Sequence, residues 1–332
     1  MATLYIDKPD IRLRKKDKRI IVEQEDKVID DIPTFRLEQI VVFGGVELTV
    51  PALSLIFQEN IDTVFLTKKG RYKGRIYSPG LSLVTLRLKQ YERVIDKDFT
   101  LSAASSLVKG KLKNLRTMLM RFNRSSDLDI GYSALQIRNC IKSLENAKTL
   151  DSVRGYEGAG TSAYFSALQK IFKYDLGFRK RVKRPPTDPV NALLSFGYTL
   201  LCGDINTAVN LVGLDPYIGF LHEPQDRKTS LVFDLMEEFR PVIVDSIVIS
   251  SINRKYFEFS DFEPDSETGG INISKNSIAR FISYYQERLA NVVFHNQSNQ
   301  HVSYKKCFEL QARIMARYIK GETDKYIPMT PK

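Results

Sequence analysis

Tryptophan is absent, and histidine nearly so: three His stand among 332 residues. Imidazole chemistry is therefore confined to His222, His295 and His301, the last two in a stretch rich in Asn and Gln. The three cysteines, Cys140, Cys202 and Cys307, lie far apart with no CxxC pair, which excludes a zinc ribbon and a thioredoxin-like site. An odd count at wide spacing suits a reducing compartment. No apolar run approaches the roughly 20 residues needed to span a bilayer, and the first residues lack the features of a signal peptide. A cytoplasmic protein with no membrane partner is expected. There is neither a Walker A loop nor a GxSxG elbow. His222-Glu223 does not open a zinc-protease helix, because Asp226 stands where the second histidine belongs and Pro224 opposes a helix interior.

Positive charge is what the chain has in excess. Fifty Lys and Arg against 39 Asp and Glu leave a net charge of +11. Such a balance favours polyanions, nucleic acid before anionic membrane. Five bases occupy the six positions from Arg179 to Arg184, and Pro185, Pro186 and Pro189 follow. This stretch reads as an exposed connector.

Periodicity divides the chain. Residues 1–80 read as β. Ile11 and Leu13 alternate with Arg12 and Arg14, and Ile20-Ile21-Val22 and Val28-Ile29 flank a polar turn. Ile40 to Phe43 and Thr63 to Leu66 read as buried strands. The second is stopped by a turn at 68–70, and a short helix runs from Pro51 to Asn60 between them. A small sandwich or an irregular sheet is expected. Ser78-Pro79-Gly80 marks a boundary, after which helical spacing takes over. Two helices break near Asp96, a polar loop spans 125–129, and the residues from Gly321 onward read as a loose tail.

Two stretches carry chemistry. Around Glu157 stand Gly158, Ala159, Gly160, Ser162 and Ala163, small residues that admit either a ligand or a tightly packed helix. Asp234, Glu237 and Glu238 fall at i, i+3 and i+4 of a helix expected from Ser230 to about Ser250, hence on one face. His222 lies just upstream, within reach of the start of that helix. Hard oxygen donors with an imidazole suit a divalent ion acting on a phosphodiester. The same spacing also describes a solvated acidic face, and spacing alone does not choose between them.

Four motifs in order do choose. They are Arg154-Gly-Tyr-Glu157-Gly with Tyr164-Phe165; Arg184-Pro-Pro-x-Asp188-Pro-x-Asn191 on to Tyr198; Gly213-Leu-Asp-Pro-x-x-Gly219-Phe220-Leu-His222; and Ser230-Leu-x-x-Asp234-Leu-Met-Glu237-Glu-Phe239-Arg240-Pro241. Over essentially its whole length the chain resembles the CRISPR-associated integrase (endonuclease) of spacer acquisition, the Cas one family. The resemblance implies an α+β fold. A small β-sandwich-like domain over 1–80 would serve dimerisation and DNA contact, and a larger α-helical catalytic domain would cover 81–332. It implies Glu157, His222 and Glu237 as ligands of Mg²⁺ or Mn²⁺, with Asp234 a further catalytic-site carboxylate. Cys202 falls where some relatives carry an active-site tyrosine, and Tyr198 and Tyr217 are the nearby alternatives. The implied reaction inserts a short DNA duplex into a CRISPR array, by attack of its 3′-hydroxyl on a phosphodiester. The implied partners are double-stranded and branched DNA, a second copy of the chain, and a small second adaptation protein that bridges two dimers. Arg179, Lys180, Arg181, Lys183, Arg184, Arg227, Lys228 and Arg240 are the expected phosphate contacts. Two other readings stand beside this one: a structure-selective repair nuclease using water as nucleophile, and a non-catalytic DNA-binding scaffold.

Overall fold

Alternation of apolar and charged residues builds the first part of the chain. The structure, a computed structural model, describes residues 2–6, 8, 10–67, 72–76, 84–125 and 130–331. The expected turn at 68–70, the linker at 78–80 and the polar loop at 126–129 lie outside these residues. The early strands are β1 (Ala2–Ile6), β2 (Ile11–Lys16), β3 (Arg19–Gln24), β4 (Lys27–Pro33), β5 (Leu37–Phe43) and β6 (Val46–Leu48). Helix α1 (Val50–Gln58), β7 (Asp62–Leu66) and β8 (Tyr72–Ile76) follow. They form two four-stranded sheets, ordered β1-β5-β7-β8 and β4-β3-β2-β6. The expected hairpin is β3–β4, turned through Glu25 and Asp26, both at positive φ. Ile11, Leu13, Ile20, Val22, Ile40, Val42 and the α1 residues Leu55 and Ile56 share one core. Val28 and Ile29 stay exposed on the edge strand β4. Sequence alternation does not reveal the parallel pairing of β1, β5 and β7, or of β2 with β6. Such pairing is decided between segments distant in the chain.

The second part is helical. It comprises α2 (Val84–Ile95), α3 (Lys97–Ser125), α4 (Gly131–Ser143), α5 (Leu150–Ile171), α6 (Pro189–Val212), α7 (Ser230–Met236), α8 (Ser246–Asn253), β9 (Phe262–Asp265), β10 (Gly270–Ile273), α9 (Lys275–Ala290), β11 (Val292–His295), β12 (Gln300–Ser303) and α10 (Tyr304–Lys320). The break between α2 and α3 falls at Asp96, whose carboxylate accepts from the Phe99 N–H. Helix α6 starts at Asp188, capped on Asn191 N–H, with Pro189 in its first turn, and ends at Gly213 with φ 86°. Most of its residues are buried, as in a helix running through a core. His295 and His301 belong to the β11–β12 hairpin, away from the site described below.

By packing, residues 1–82 with 274–279 form one compact unit, and 83–273 with 280–332 another. Among the described residues no helix is long and apolar enough to cross a membrane. The expected loose tail is not loose where it is described: Tyr326 and Met329 are buried.

Candidate active site

Three successive backbone N–H groups converge on one buried carboxylate. Phe220, Leu221 and His222 donate to Asp234 of α7 at 2.6, 3.0 and 2.9 Å. His222 Nδ1 lies 2.7 Å from the same carboxylate. Asp234 has no solvent contact and needs such partners. The pairing orients the imidazole and directs any further ligand to Nε2, as an outer carboxylate does for a metal-binding histidine. Gly219 makes the loop possible, because a Cβ there would meet Ser230 C at 2.7 Å and Asp234 Oδ2 at 2.8 Å.

Glu157 comes from α5, which begins with a capping box between Thr149 and Ser152. Its Oε1 accepts from Thr161 Oγ1 at 3.0 Å and from Lys111 Nζ of α3. The small residues around it divide their work. A Cβ on Gly160 would lie 2.5 Å from Leu112 Cδ2, so this glycine lets α3 and α5 pack closely; Gly158 faces open space and lines the cavity.

Glu237 departs from expectation. A single helix was expected from Ser230 to about Ser250, but α7 ends at Met236 and a turn spans 237–240. Pro241 to Asp245 then form a π turn in which Asp245 N–H bonds Arg240 O, five residues back. Proline lacks the N–H that a continuous ladder requires there. The three carboxylates therefore do not share one face. Asp234 turns to the 220–222 loop, Glu237 to Lys111 and Arg240, and Glu238 to a separate buried pocket. There Glu238 accepts from Tyr326 Oη at 2.6 Å, Gln311 Nε2 at 3.1 Å and Met329 N–H. Burial pushes its carboxyl up to about 7 against those bonds.

Lys111 Nζ stands 2.6 Å from Glu237 Oε2 while also bonding Glu157, and is thus shared by two carboxylates. Arg240 Nε is 3.3 Å from Glu237 Oε1, and its guanidinium lies 4.7 Å from the Tyr198 ring centroid. Burial pushes the Glu237 carboxyl up, but the Arg240 and Lys111 charges outweigh it and leave the group at about 2. Burial pushes the Lys111 ammonium down, and the two glutamates more than restore it. Tyr198 Oη donates to Asp245 at 2.5 Å, and burial holds that carboxyl at about 6.

Glu157, His222, Glu237, Lys111, Tyr198 and Arg240 line one cavity of about 520 Å³. Asp234 lies behind His222 rather than on the wall. Arg179, Lys180, Arg181 and Lys183 also line the cavity, whereas Arg184, Arg227, Lys228 and Tyr217 do not. The basic connector is largely exposed, as expected, with Arg181 the half-buried exception among its bases. Arg181 donates to Asn191 Oδ1 at 2.8 Å and Ser195 Oγ at 3.0 Å, and Arg179 pairs with Asp175 at 2.7 Å. Arg179, Lys180, Lys183 and Arg184 are exposed.

Among the described residues no group of three His, Cys, Asp or Glu stands close enough to hold a metal ion as the side chains lie. The donor set nonetheless fits one. Two carboxylates and an imidazole suit Mg²⁺ or Mn²⁺. A cation already bridges Glu157 and Glu237 in the form of the Lys111 ammonium. Glu237 Oε2, despite that charge contact, has no bond of hydrogen-bonding geometry.

The family profile described as "CRISPR associated protein Cas1" matches residues 4–287. The chain belongs to the Cas1 family. The CRISPR-associated endonuclease Cas1 1 of Moorella thermoacetica is 33% identical over 99% of this chain and 98% of its own length. The Cas1 endonuclease of Leptospira interrogans is 41% identical over 73% of this chain and 98% of its own. A solved Cas1 protein from Thermotoga maritima superposes with a TM-score of 0.84 at 25% identity, covering 100% of both chains. A casposase bound to integration product superposes with a TM-score of 0.87 at 22% identity over 98% of this chain and 93% of its own, a likeness of fold. The curated relatives are named CRISPR-associated endonucleases.

Sequence reading passed over Lys111 on the wall of this cavity. Lys111 falls within the buried α3 stripe of Leu107, Val108, Leu112 and Leu115, so a lysine on an apolar face was the available signal. Spacing grouped Glu238 with Asp234 and Glu237, whereas it bonds partners 73 to 91 residues away that left no local trace.

Proposed function

We propose that this Cas1 chain is a metal-dependent DNA integrase, joining the 3′-hydroxyl of a short duplex to a phosphodiester at the edge of a CRISPR repeat. One observation carries the proposal: Glu157, His222 and Glu237, from separate parts of the chain, open onto a single cavity walled by bases. Mg²⁺ or Mn²⁺ held by these three would polarise the scissile phosphoryl oxygen and ease hydroxyl attack. The remaining work belongs to the chain. Asp234 fixes the imidazole through Nδ1 and the backbone of its loop. Arg240, joined by Lys111 while no ion is bound, holds the Glu237 carboxyl low. Lys180 and Lys183 take backbone phosphates without reading sequence.

Double-stranded and branched DNA are the proposed substrates. The casposase neighbour, bound to an integration product, supports strand joining. The fold likeness to a chain of a Cas6-RT-Cas1–Cas2 complex supports a small second adaptation protein as partner; its bridging of two homodimers is part of the proposal. The test supplies Mn²⁺, a short duplex and a plasmid carrying a repeat array. Wild-type protein should give joined product, and Glu157→Ala none, with circular dichroism unchanged. Undiminished joining by the variant rejects the site. Cutting without joining points to a nuclease that uses water. DNA binding that ignores EDTA, with no product of either kind, leaves a scaffold.

A further inference from the structure

Lys111 is the side chain that the proposed reaction does not need where it stands. Three lysines lie near one another on α3, at 109, 111 and 113. Lys109 reaches outward to Glu145 at 3.0 Å, an ordinary surface pair. Lys111 turns inward, is only 6% exposed, and places its ammonium against both Glu157 and Glu237. Two carboxylates facing one cavity without a counter-charge repel, and a buried ammonium without one is costly. The three groups together satisfy what none satisfies alone. Yet these carboxylates are two of the three donors assigned above to a divalent ion. An ammonium and a metal ion cannot use the same oxygens at once.

We propose that Lys111 is a resident placeholder cation, which holds Glu157 and Glu237 together until a divalent ion displaces it, and so weakens and gates ion binding. The inference rests on the metal-dependent reading above. The side chain has somewhere to go. The cavity it lines is about 520 Å³ and is the one proposed to take a DNA backbone, whose phosphate is the natural new partner for a released ammonium. Ion binding and phosphate binding then favour one another, because each takes one half of the pair that the other must break. Lys111 is thus a positioning residue in the free protein and a phosphate contact in the loaded one.

The direction of the effect separates this role from a structural one. A residue that merely supports the fold weakens ion binding when it is removed, whereas removing a competitor tightens it. Mn²⁺ is titrated into the full chain without DNA, with free Mn²⁺ read by electron paramagnetic resonance. Lys111→Met should bind about tenfold more tightly or better, since the competent state no longer has to be released. Lys111→Arg, which keeps the charge, should bind no more tightly than wild type. Thermal melting guards against a folding defect: Lys111→Met should melt lower than wild type without ion and gain more from saturating Mn²⁺. Equal or weaker binding by Lys111→Met, or an equal gain in melting temperature, overturns the placeholder while leaving the metal reading intact. Failure of both proteins to bind Mn²⁺, with duplex DNA present as well, overturns the metal reading and the placeholder with it.

Discussion

Gly219 has no room for a methyl group. A Cβ would press on Asp234 Oδ2 and on the backbone of Ser230 and Leu231, all within 2.9 Å. Gly219→Ala should therefore cost about 1–3 kcal/mol of stability, and it should loosen the carboxylate that aims His222. An unchanged urea midpoint would show that the loop yields without cost. Asp245 supports a prediction of opposite character. Burial raises its carboxyl from 3.8 in the unfolded chain to about 6, so between these values the folded form holds a proton that the unfolded form has lost. Stability from this group is full below the lower value and falls as pH rises through the window, by about 3 kcal/mol in all. Asp245→Asn should flatten denaturation midpoints between pH 4 and 6; a slope equal to that of wild type refutes the assignment. His222 was a candidate from its place just upstream of the acidic stretch, and the family resemblance made it a proposed ligand. Lys111 was not, because a lysine in a helix reads as solvated until its neighbours on the same face are counted.

At the scale of elements, the α3–α5 contact decides how near Lys111 comes to Glu157. Gly160→Ala should force the two helices apart and destabilise the protein by about 1–3 kcal/mol. Gly158→Ala, two residues away and facing open space, should leave stability equal or raise it by up to about 1 kcal/mol through helix propensity. Equal effects from the two substitutions would mean that α5 packs otherwise. Helices were legible to within two residues where apolar spacing is regular: spacing gives Asn191 to Val212 for α6 and Tyr304 to Lys320 for α10. The π turn at 241–245 was not. Pro241 announces a disturbance, but where each carboxylate then points is settled by α3 and by the segment after α10, which no local pattern contains.

For the whole molecule, the net charge of +11 predicts DNA binding that weakens steeply with salt. If Lys180 and Lys183 each meet a phosphate, Lys180→Gln with Lys183→Gln should lower the slope of log K against log salt by about 2. A slope unchanged in that double variant would place the phosphates elsewhere. The β part, the helical part and their order were legible from periodicity. The sheet connections and the anchoring of the last segment were not, because both depend on contacts between residues remote in sequence. That anchoring has a consequence in time. Asn114 Nδ2, one turn beyond Lys111, donates to Glu238 O at 2.8 Å and Met329 O at 2.9 Å, while Glu238 waits on Tyr326 and Met329 for its own bonds. The turn that presents Glu237 is therefore tied down in part by residues near 330. On the ribosome these are made roughly 90 residues after it, many seconds later at ordinary rates of synthesis. A nascent chain carries every residue of the site well before it carries the knot that closes it.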